Sequence, residues 1–166
     1  MHVCIFYVCL FISCISAFHA YFVHRGRFRE GQWVFGGIDV DDPTRCFLVP
    51  VDRRDRATLE PLIQRNIAAG SIIWSDDWRA YDGVSALGYT HHRVNHSENF
   101  VCPTTLVHTN HIENMWMRAK KKLRRMHGTQ EAFFESYLEE WLWQQRHPTL
   151  RFQEIIRSIC EEYALL

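Results

Sequence analysis

The sequence predicts an α/β protein, in which a mixed sheet carries helices on its faces and the C-terminal end is helical. Two observations predict this class. Short apolar runs typical of strands alternate along the chain with amphipathic stretches typical of helices. In addition, 47% of the 166 residues are hydrophobic and 14% are aromatic, which indicates a folded core and excludes a disordered chain. The length fits one domain.

The first predicted elements after residue 30 are a hairpin and a helix. GQWVFGGIDV (31–40) and RCFLVPVD (45–52) are apolar runs on either side of the turn DVDDPT, which is the pattern of an antiparallel hairpin. In ATLEPLIQRNIAAG (57–70) apolar residues recur at helical spacing, and Gly70 is the predicted stop of the helix.

The second half of the chain alternates again and then becomes helical. SIIWSD (71–76) predicts a short buried strand, DWRAYDGVSALG (77–88) a short helix, and YTHHRVNH (89–96) a weaker strand. Further helices are predicted from Thr109 to about His127, over 128–147 and over 149–164. This order favours a sheet of mixed strand direction with helices on its faces.

The N-terminal segment, residues 1–23, carries no charge, and the first charged residue is Arg25. Such a run fits a secretory signal, a membrane span or a buried strand. It lacks the basic start of a signal, and many of its residues are aromatic or β-branched. The sequence leaves the three alternatives open.

The distribution of charge and the spacing of the cysteines narrow the range of possible functions. The formal net charge is zero, but residues 107–128 carry six Lys/Arg against one acid, and residues 129–166 carry three Arg against seven Glu. This asymmetry predicts one anion-facing surface. The cysteines form no CxxC pair, which favours free thiols over disulfides; they are Cys4, Cys9, Cys14, Cys46, Cys102 and Cys160.

Glu113 is the single acid in the basic stretch, and two interpretations of it stay open. On a helical wheel it lies at the edge of the apolar stripe, on the same side as Lys120 and Arg124. It fits a metal ligand held against a polyanion. Asn110-x-x-Glu113 also fits a capping box, which the local pattern favours.

Asp76 is the second candidate. It ends a predicted apolar strand, and α/β proteins commonly build their sites at that edge of the sheet. The alternative is that Asp77, with Asp76 sharing the task, caps the following helix. Carboxylates from two separate elements can hold Mg²⁺ or Mn²⁺, and two such ions support phosphodiester chemistry, usually with a third carboxylate.

A zinc site is a further alternative, because five histidines surround Cys102 in the sequence. Their spacing fits no standard ligand set. They are His91, His92, His96, His108 and His111.

Together these residues resemble the ISXO-type family of insertion-sequence transposases, which have a ribonuclease-H-like fold and a DDE metal site. The matching stretches are RGRFREGQWVFGGI, DRRDRATLEPLI, GSIIWSDDWRAYDGVSALGYTHHRVNHSENFV and HTNHIENMWMRAKKKLRR, with a weaker match through YLEEWLWQQRH. The resemblance covers residues 24–147. It implies a transposase-like catalytic domain there, between the apolar segment 1–23, a signal-like run or degenerate first strand, and a C-terminal helix over 148–166.

The resemblance assigns the family's second and final acids. The motif S-D-x-W-x-x-Y places the second acid on Asp76, and H-T-x-x-I-E-x-x-W places the last on Glu113. These two carboxylates are thus the expected catalytic residues and the ligands of Mg²⁺ or Mn²⁺. Trp78 and Tyr81 are expected to pack rather than stack on bases. DNA phosphates are expected to contact Arg118, Lys120, Lys121, Arg124 and Arg125.

The chain departs from the family at the first acid. A gapless extension puts Cys14 near that position, and no Asp or Glu precedes Glu30. A thiol is a poor Mg²⁺ ligand, so the first strand is expected to be atypical or missing. Asp39, at the end of the hairpin's first strand, is a candidate substitute. The family-like sequence begins abruptly near His24, which a fragment of a longer element would also explain.

The expected function is that of a transposase-derived domain, impaired in metal-dependent DNA cleavage and strand transfer. The alternative is a non-catalytic DNA-binding remnant or domesticated module. The partner would be DNA, either mobile-element ends or DNA of any sequence. A homo-oligomer stays open, and no small-molecule substrate is expected. The resemblance implies a nuclear or DNA-associated protein, whereas a signal or anchor in residues 1–23 implies a secretory or membrane one.

Overall fold

The computed structural model describes residues 7–14, 32–94, 110–126 and 130–163, which form a mixed α/β structure with helices at the C-terminal end. The strands are β1 (Tyr7–Cys14), β2 (Trp33–Asp39), β3 (Cys46–Val51), β4 (Ile72–Asp76) and β5 (Thr90–Val94). The helices are α1 (Arg56–Asn66), α2 (Asn110–Arg125), α3 (Phe134–Arg146) and α4 (Arg151–Tyr163). No helix in these ranges has the length and apolarity to cross a membrane.

The strands form one five-stranded sheet in the order β3-β2-β1-β4-β5. β1 lies at its centre, antiparallel to β2 and parallel to β4, so residues 7–14 of the apolar N-terminal segment form a strand. The expected hairpin is confirmed, since β2 and β3 pair antiparallel. β4 and β5 pair in parallel. The carboxyl ends of β1, β3 and β4 therefore lie at one edge of the sheet.

Each face of the sheet packs against its own helices. On one face, which we call the α1 face, Leu59 and Ile63 of α1 pack with Val8, Phe35 and Ile73 of the strands. On the other, the α2 face, α2 and α3 cover the strands. The buried residues of that face include Val34, Ile38, Leu48, Ile112, Met115, Trp116, Leu123, Leu138 and Trp141.

Helix α1 forms as predicted but ends earlier than the predicted stop at Gly70. Asp55 caps its first turn and accepts a hydrogen bond from the backbone N–H of Thr58 at 3.0 Å. The helix ends at Asn66, and the predicted stop, Gly70, lies in the next turn with φ +80°. Gly70 therefore serves the turn into β4 instead of the helix end, because a positive φ is readily adopted only by glycine.

The single short helix predicted over 77–88 is wrong. Two 3₁₀ segments, Arg79–Tyr81 and Val84–Leu87, occupy this stretch, and Gly83 and Gly88 lie immediately before and after the second. The predicted helix-capping role of Asp77 is also wrong, since the first segment has Trp78 at its N-cap and no side-chain cap. Asp77 instead forms an ion pair with Arg93 at 3.2 Å.

α2 approaches the sheet most closely at Gly36 of β2. A Cβ atom at this position would lie 2.8 Å from Cδ2 of Leu48, 3.0 Å from Cζ2 of Trp116 and 3.2 Å from Cε of Met115. These are shorter than normal carbon contacts, so only glycine lets α2 settle at this depth. The position of α2 on the sheet thus depends on residue 36 having no side chain.

We expect Gly36→Ala to destabilise the protein by about 1–3 kcal/mol, because the added methyl group overpacks a filled core. The measurement is the free energy of unfolding in urea. Leu48→Val removes part of the crowding group, so the penalty of Gly36→Ala should shrink in that background. An equal penalty in both backgrounds would contradict this account of the contact.

Candidate active site

Asp76 lies at the carboxyl end of β4, on the face that α2 covers. Trp74 of β4 packs against the α2-face core, and Ile73 against the α1-face core. Side chains alternate along a strand, so Asp76 points to the same face as Trp74. Its side chain is half-buried.

α2 is held over the same region of the sheet. Met115 and Trp116 reach Gly36, which pairs with Phe11 of β1. Leu10, the residue before Phe11, pairs with Ser75, the residue before Asp76. Glu113 lies in the first turn of α2 and is exposed. The structure therefore places both predicted acids on elements of one face.

Helix α2 begins at Asn110 itself. Residue 109 and those before it lie outside the described residues, so the capping box of Asn110 and Glu113 stays a prediction. An acid in the first turn still favours the helix, because the N-terminal end carries a partial positive charge.

The hydroxyl group of Tyr81 is buried close to Asp76. Burial raises the pKa of Tyr81 well above its ordinary value of 10, and the negative charge of Asp76 raises it further. Tyr81 is therefore a neutral phenol at any pH at which the protein works. Its ring is fully buried in the α1-face core, as the sequence predicted.

Ser75 and His91 fix the backbone at the end of β4 from the α1 face. The Ser75 hydroxyl donates to the carbonyl oxygen of Asp76 at 2.7 Å and lies 2.8 Å from Nε2 of His91. A hydroxyl has one proton, so Nε2 of His91 donates the second bond. Burial first, then the nearby Arg93 and His92 charges, lower the pKa of His91 to about 4.

Asp39 is not brought together with Asp76. It pairs with Val8, which in turn pairs with Ile73, three residues before Asp76. Asp39 therefore lies about 10 Å further back along the strands and on the α1 face, given about 3.3 Å per residue and the alternation of side chains. It accepts from the backbone N–H of Asp41 at 2.9 Å and pairs with Arg45 at 2.9 Å. These bonds hold the hairpin turn.

The central strand offers no carboxylate to this site. β1 has the sequence YVCLFISC. Its backbone runs past the level of Asp76, since Leu10 pairs with Ser75 of β4 and Cys14 pairs with Trp33 of β2. Cys14, the position expected to replace the first acid, thus lies three residues beyond the level of Asp76.

The predicted DNA-contacting cations lie on the outer surface of α2. Arg118, Lys121, Arg124 and Arg125 are exposed, and Lys120 is half-buried with its ammonium group 6.0 Å from the centre of the Trp116 ring. Lys122 differs from them, because it is turned towards α3 and forms an ion pair with Glu140 at 2.6 Å.

No group of three or more His, Cys, Asp or Glu side chains that could hold a metal ion occurs within the ranges that the structure describes. Asp76 and Glu113 supply oxygen ligands of the kind that Mg²⁺ and Mn²⁺ prefer. Of the alternative zinc site, Cys102, His96 and His108 lie outside the described residues. Nε2 of His91 is hydrogen-bonded to the hydroxyl group of Ser75.

Comparison with known proteins identifies the family. Residues 21–145 match the ISXO2-like transposase domain. The chain belongs to this DDE transposase family. An "uncharacterized transposase-like protein" of Haemophilus influenzae is 31% identical over 109 residues, which cover 66% of this chain and 87% of that protein. Asp76, Ser75, His91 and Glu113 all lie in the matched range.

Two features near Asp76 were not predicted from the sequence. One is the bond between Ser75 and His91, for which the sequence gives no signal beyond two polar residues in adjacent strands. The other is a groove lined by arginines beyond the end of β4, formed by Arg53, Arg54, Arg56 and Arg79 around Trp78. The run DRRDR (52–56) was a signal for it, since it holds three arginines in five residues.

We expect the stability of the protein to fall as the pH is lowered from about 6.5 towards about 4, in part because of His91. Its pKa is about 4 in the folded protein against an ordinary 6.5, so in this window the unfolded chain binds a proton that the folded chain does not. Above the window the ring is neutral in both states and contributes no pH dependence.

His91→Gln should reduce this loss, because glutamine can still donate to Ser75 but does not titrate. The measurement is the urea midpoint at about pH 7 and about pH 5. His92→Gln, the neighbouring position on the opposite face of β5, is the matched control and should retain most of the pH dependence. A His91→Gln protein as acid-sensitive as the wild type would refute the assignment.

Proposed function

We propose that this chain is a ribonuclease-H-like, transposase-derived domain that binds DNA through α2 and is impaired in DNA strand cleavage. The observation that carries the proposal is the end of β4. Asp76 lies there beside a central strand, β1, that contains no acid. The family relationship supports DNA as the partner and a divalent metal as the cofactor of an intact site.

The sheet supports the ribonuclease-H-like assignment. Three antiparallel strands, β1 to β3, are continued by two strands parallel to β1, and helices cover both faces. The second acid of the family then falls at the end of a parallel strand, which is the common location of sites in α/β sheets.

In this proposal Asp76 and Glu113 hold Mg²⁺ or Mn²⁺ through their carboxylate oxygens. Two such ions, when bound, would activate water or a 3′-hydroxyl and stabilise the leaving oxygen. The hydrogen bonds of Ser75 and His91 hold the backbone of Asp76, and the neutral Tyr81 lies close by. A third carboxylate would have to come from β1, and Asp39 lies too far back to replace it.

The outer face of α2 supplies the proposed DNA contacts. Lys120 and Arg124 follow Glu113 by seven and eleven residues, which puts them on the same line along the helix. Arg118, Lys121 and Arg125 lie further round the exposed side. Cations in such an array bind the phosphates of a nucleic acid backbone without reading its sequence.

The second candidate is a module that binds DNA and has no catalytic role. The lack of an acid in β1 favours it over a working nuclease, since metal-dependent phosphodiester chemistry normally uses three carboxylates. Both candidates require the same DNA-binding face and differ only in the residual cleavage that they allow.

We expect the purified chain with Mg²⁺ or Mn²⁺ to cleave DNA no faster than its Asp76→Asn variant. The reason is that two carboxylates do not complete the metal site. The measurement is nicking of supercoiled plasmid, with Glu113→Gln as a second reference. Robust metal-dependent cleavage that both substitutions abolish would show that the site is complete and would overturn the proposed impairment.

We expect Lys121→Gln combined with Arg125→Gln to weaken DNA binding and to flatten its salt dependence. Each lost phosphate contact makes the negative slope of log K against log salt shallower by about 0.9. The measurement is fluorescence anisotropy of a short labelled duplex.

The matched control is Lys122→Gln combined with Arg157→Gln, which removes the same charge from an α3-facing lysine and from α4. The control should keep the wild-type slope. Equal losses in both double variants would mean that net charge, and not the face of α2, governs binding.

A further inference from the structure

A second basic surface lies on the other side of the end of β4 from α2. It is the groove, of about 460 Å³, that Arg53, Arg54, Arg56 and Arg79 form around Trp78. Among the described residues that line it, Asp55 supplies the single carboxylate. The groove combines the loop between β3 and α1 with the loop after β4, both at the carboxyl edge of the sheet.

A stack of side chains fixes the groove in place. The guanidinium carbon of Arg54 lies 4.5 Å from the centre of the Trp33 ring and 4.3 Å from that of Trp78. The indole N–H of Trp78 donates to the backbone carbonyl of Arg54 at 3.3 Å. These contacts join the two loops, so the backbone that carries the arginines is tied to the end of β4, where Asp76 lies two residues before Trp78.

The arginines of the groove remain available to an anion. Arg53 pairs with Asp55 at 2.8 Å, but its side chain is 78% exposed. Arg56 pairs with Glu60 and is 55% exposed. Arg79 is exposed and forms no ion pair with another described residue. Exposed pairs of this kind contribute little to stability, so an incoming phosphate can compete for the guanidinium groups.

We propose that this groove binds the phosphodiester backbone of a DNA strand next to Asp76. Arginine suits phosphate because its planar group can donate two parallel hydrogen bonds. The groove is open rather than enclosed, which suits a continuous chain of phosphates better than a small molecule. Together with α2, it would hold one DNA molecule on both sides of Asp76. This inference rests on the proposed DNA-binding function.

With this groove, α2 is not the single source of phosphate contacts in the proposal. α2 packs on one face of the sheet and α1 on the other, so the two basic surfaces belong to different faces. They converge only at the edge where β4 ends. A polyanion bound to both would have to pass over that edge.

The test is binding of a short fluorescein-labelled DNA duplex and of its single strands, measured by anisotropy over a range of salt concentrations. The groove variant is Arg53→Gln combined with Arg79→Gln, which leaves the stacked Arg54 untouched. Loss of two phosphate contacts should make the negative slope of log K against log salt shallower by about two. The matched control, Arg151→Gln combined with Arg157→Gln, removes the same charge from α4.

The outcomes separate this inference from the proposed function. A groove variant that binds like its α4 control, while the α2 variant is weakened, would overturn the groove and leave the proposed function standing. A weakened groove variant with an unaffected α2 variant would support the groove and refute the role of α2. A wild-type chain that binds neither duplex nor single strands would overturn both.

Melting temperatures of the variants show whether they are folded. As a second measurement, a photo-crosslinking residue at Arg79 should attach to the labelled DNA if the groove is a contact surface. The same residue at Arg157 should not. Crosslinking at both positions to the same extent would also overturn the groove.

Discussion

The structure depends on the insertion of β1 into the centre of the sheet. An inner strand is hydrogen-bonded on both sides, and its neighbours here run in opposite directions, with β2 antiparallel and β4 parallel. The sequence of β1, YVCLFISC, has no charged residue, as suits a strand covered on both faces. The same strand also contributes no carboxylate to the end of β4 beside it.

Different residues surround the end of β4, where Asp76 lies, on the two faces of the sheet. On the α2 face lie Asp76, at the end of β4, and the apolar side of α2. On the α1 face, Ser75 is fully buried and bonded to a neutral His91, and Tyr81 fills the space beside them. Burial favours the uncharged forms of the His91 ring and of the Tyr81 phenol in this layer.

Much of the fold could be predicted from periodicity, since the hairpin of β2 and β3, strand β4 and the helices α1 to α4 follow local patterns. The stretch 77–88 was predicted as one helix, whereas Gly83 lies between two short 3₁₀ segments and Gly88 ends the second. The N-terminal run stayed ambiguous because an uncharged inner strand and a membrane segment have the same composition.

The site was predictable only in part, because spacing along the chain does not give the register between strands. The place of Asp76 at a strand end could be predicted from the apolar run before it, whereas its role as a ligand stays a prediction from the family motif. Asp39 also ends a strand. Val8 pairs with both Asp39 and Ile73, so Asp39 lies level with Ile73, three residues before Asp76. The arginine groove needs the contact of Arg54 with Trp78, which joins loops far apart in sequence.

The central position of β1 has a consequence for biosynthesis. β1 precedes both of its partners along the chain: β2 can pair with it as soon as residues 33–39 are made, but Ile73 of β4 follows more than 30 residues later. Until then, one edge of an uncharged, apolar strand stays open to other chains, which is the feature that promotes aggregation of nascent β-proteins. The edge of β1 that faces β4 is therefore covered only after residues 72–76 have been made.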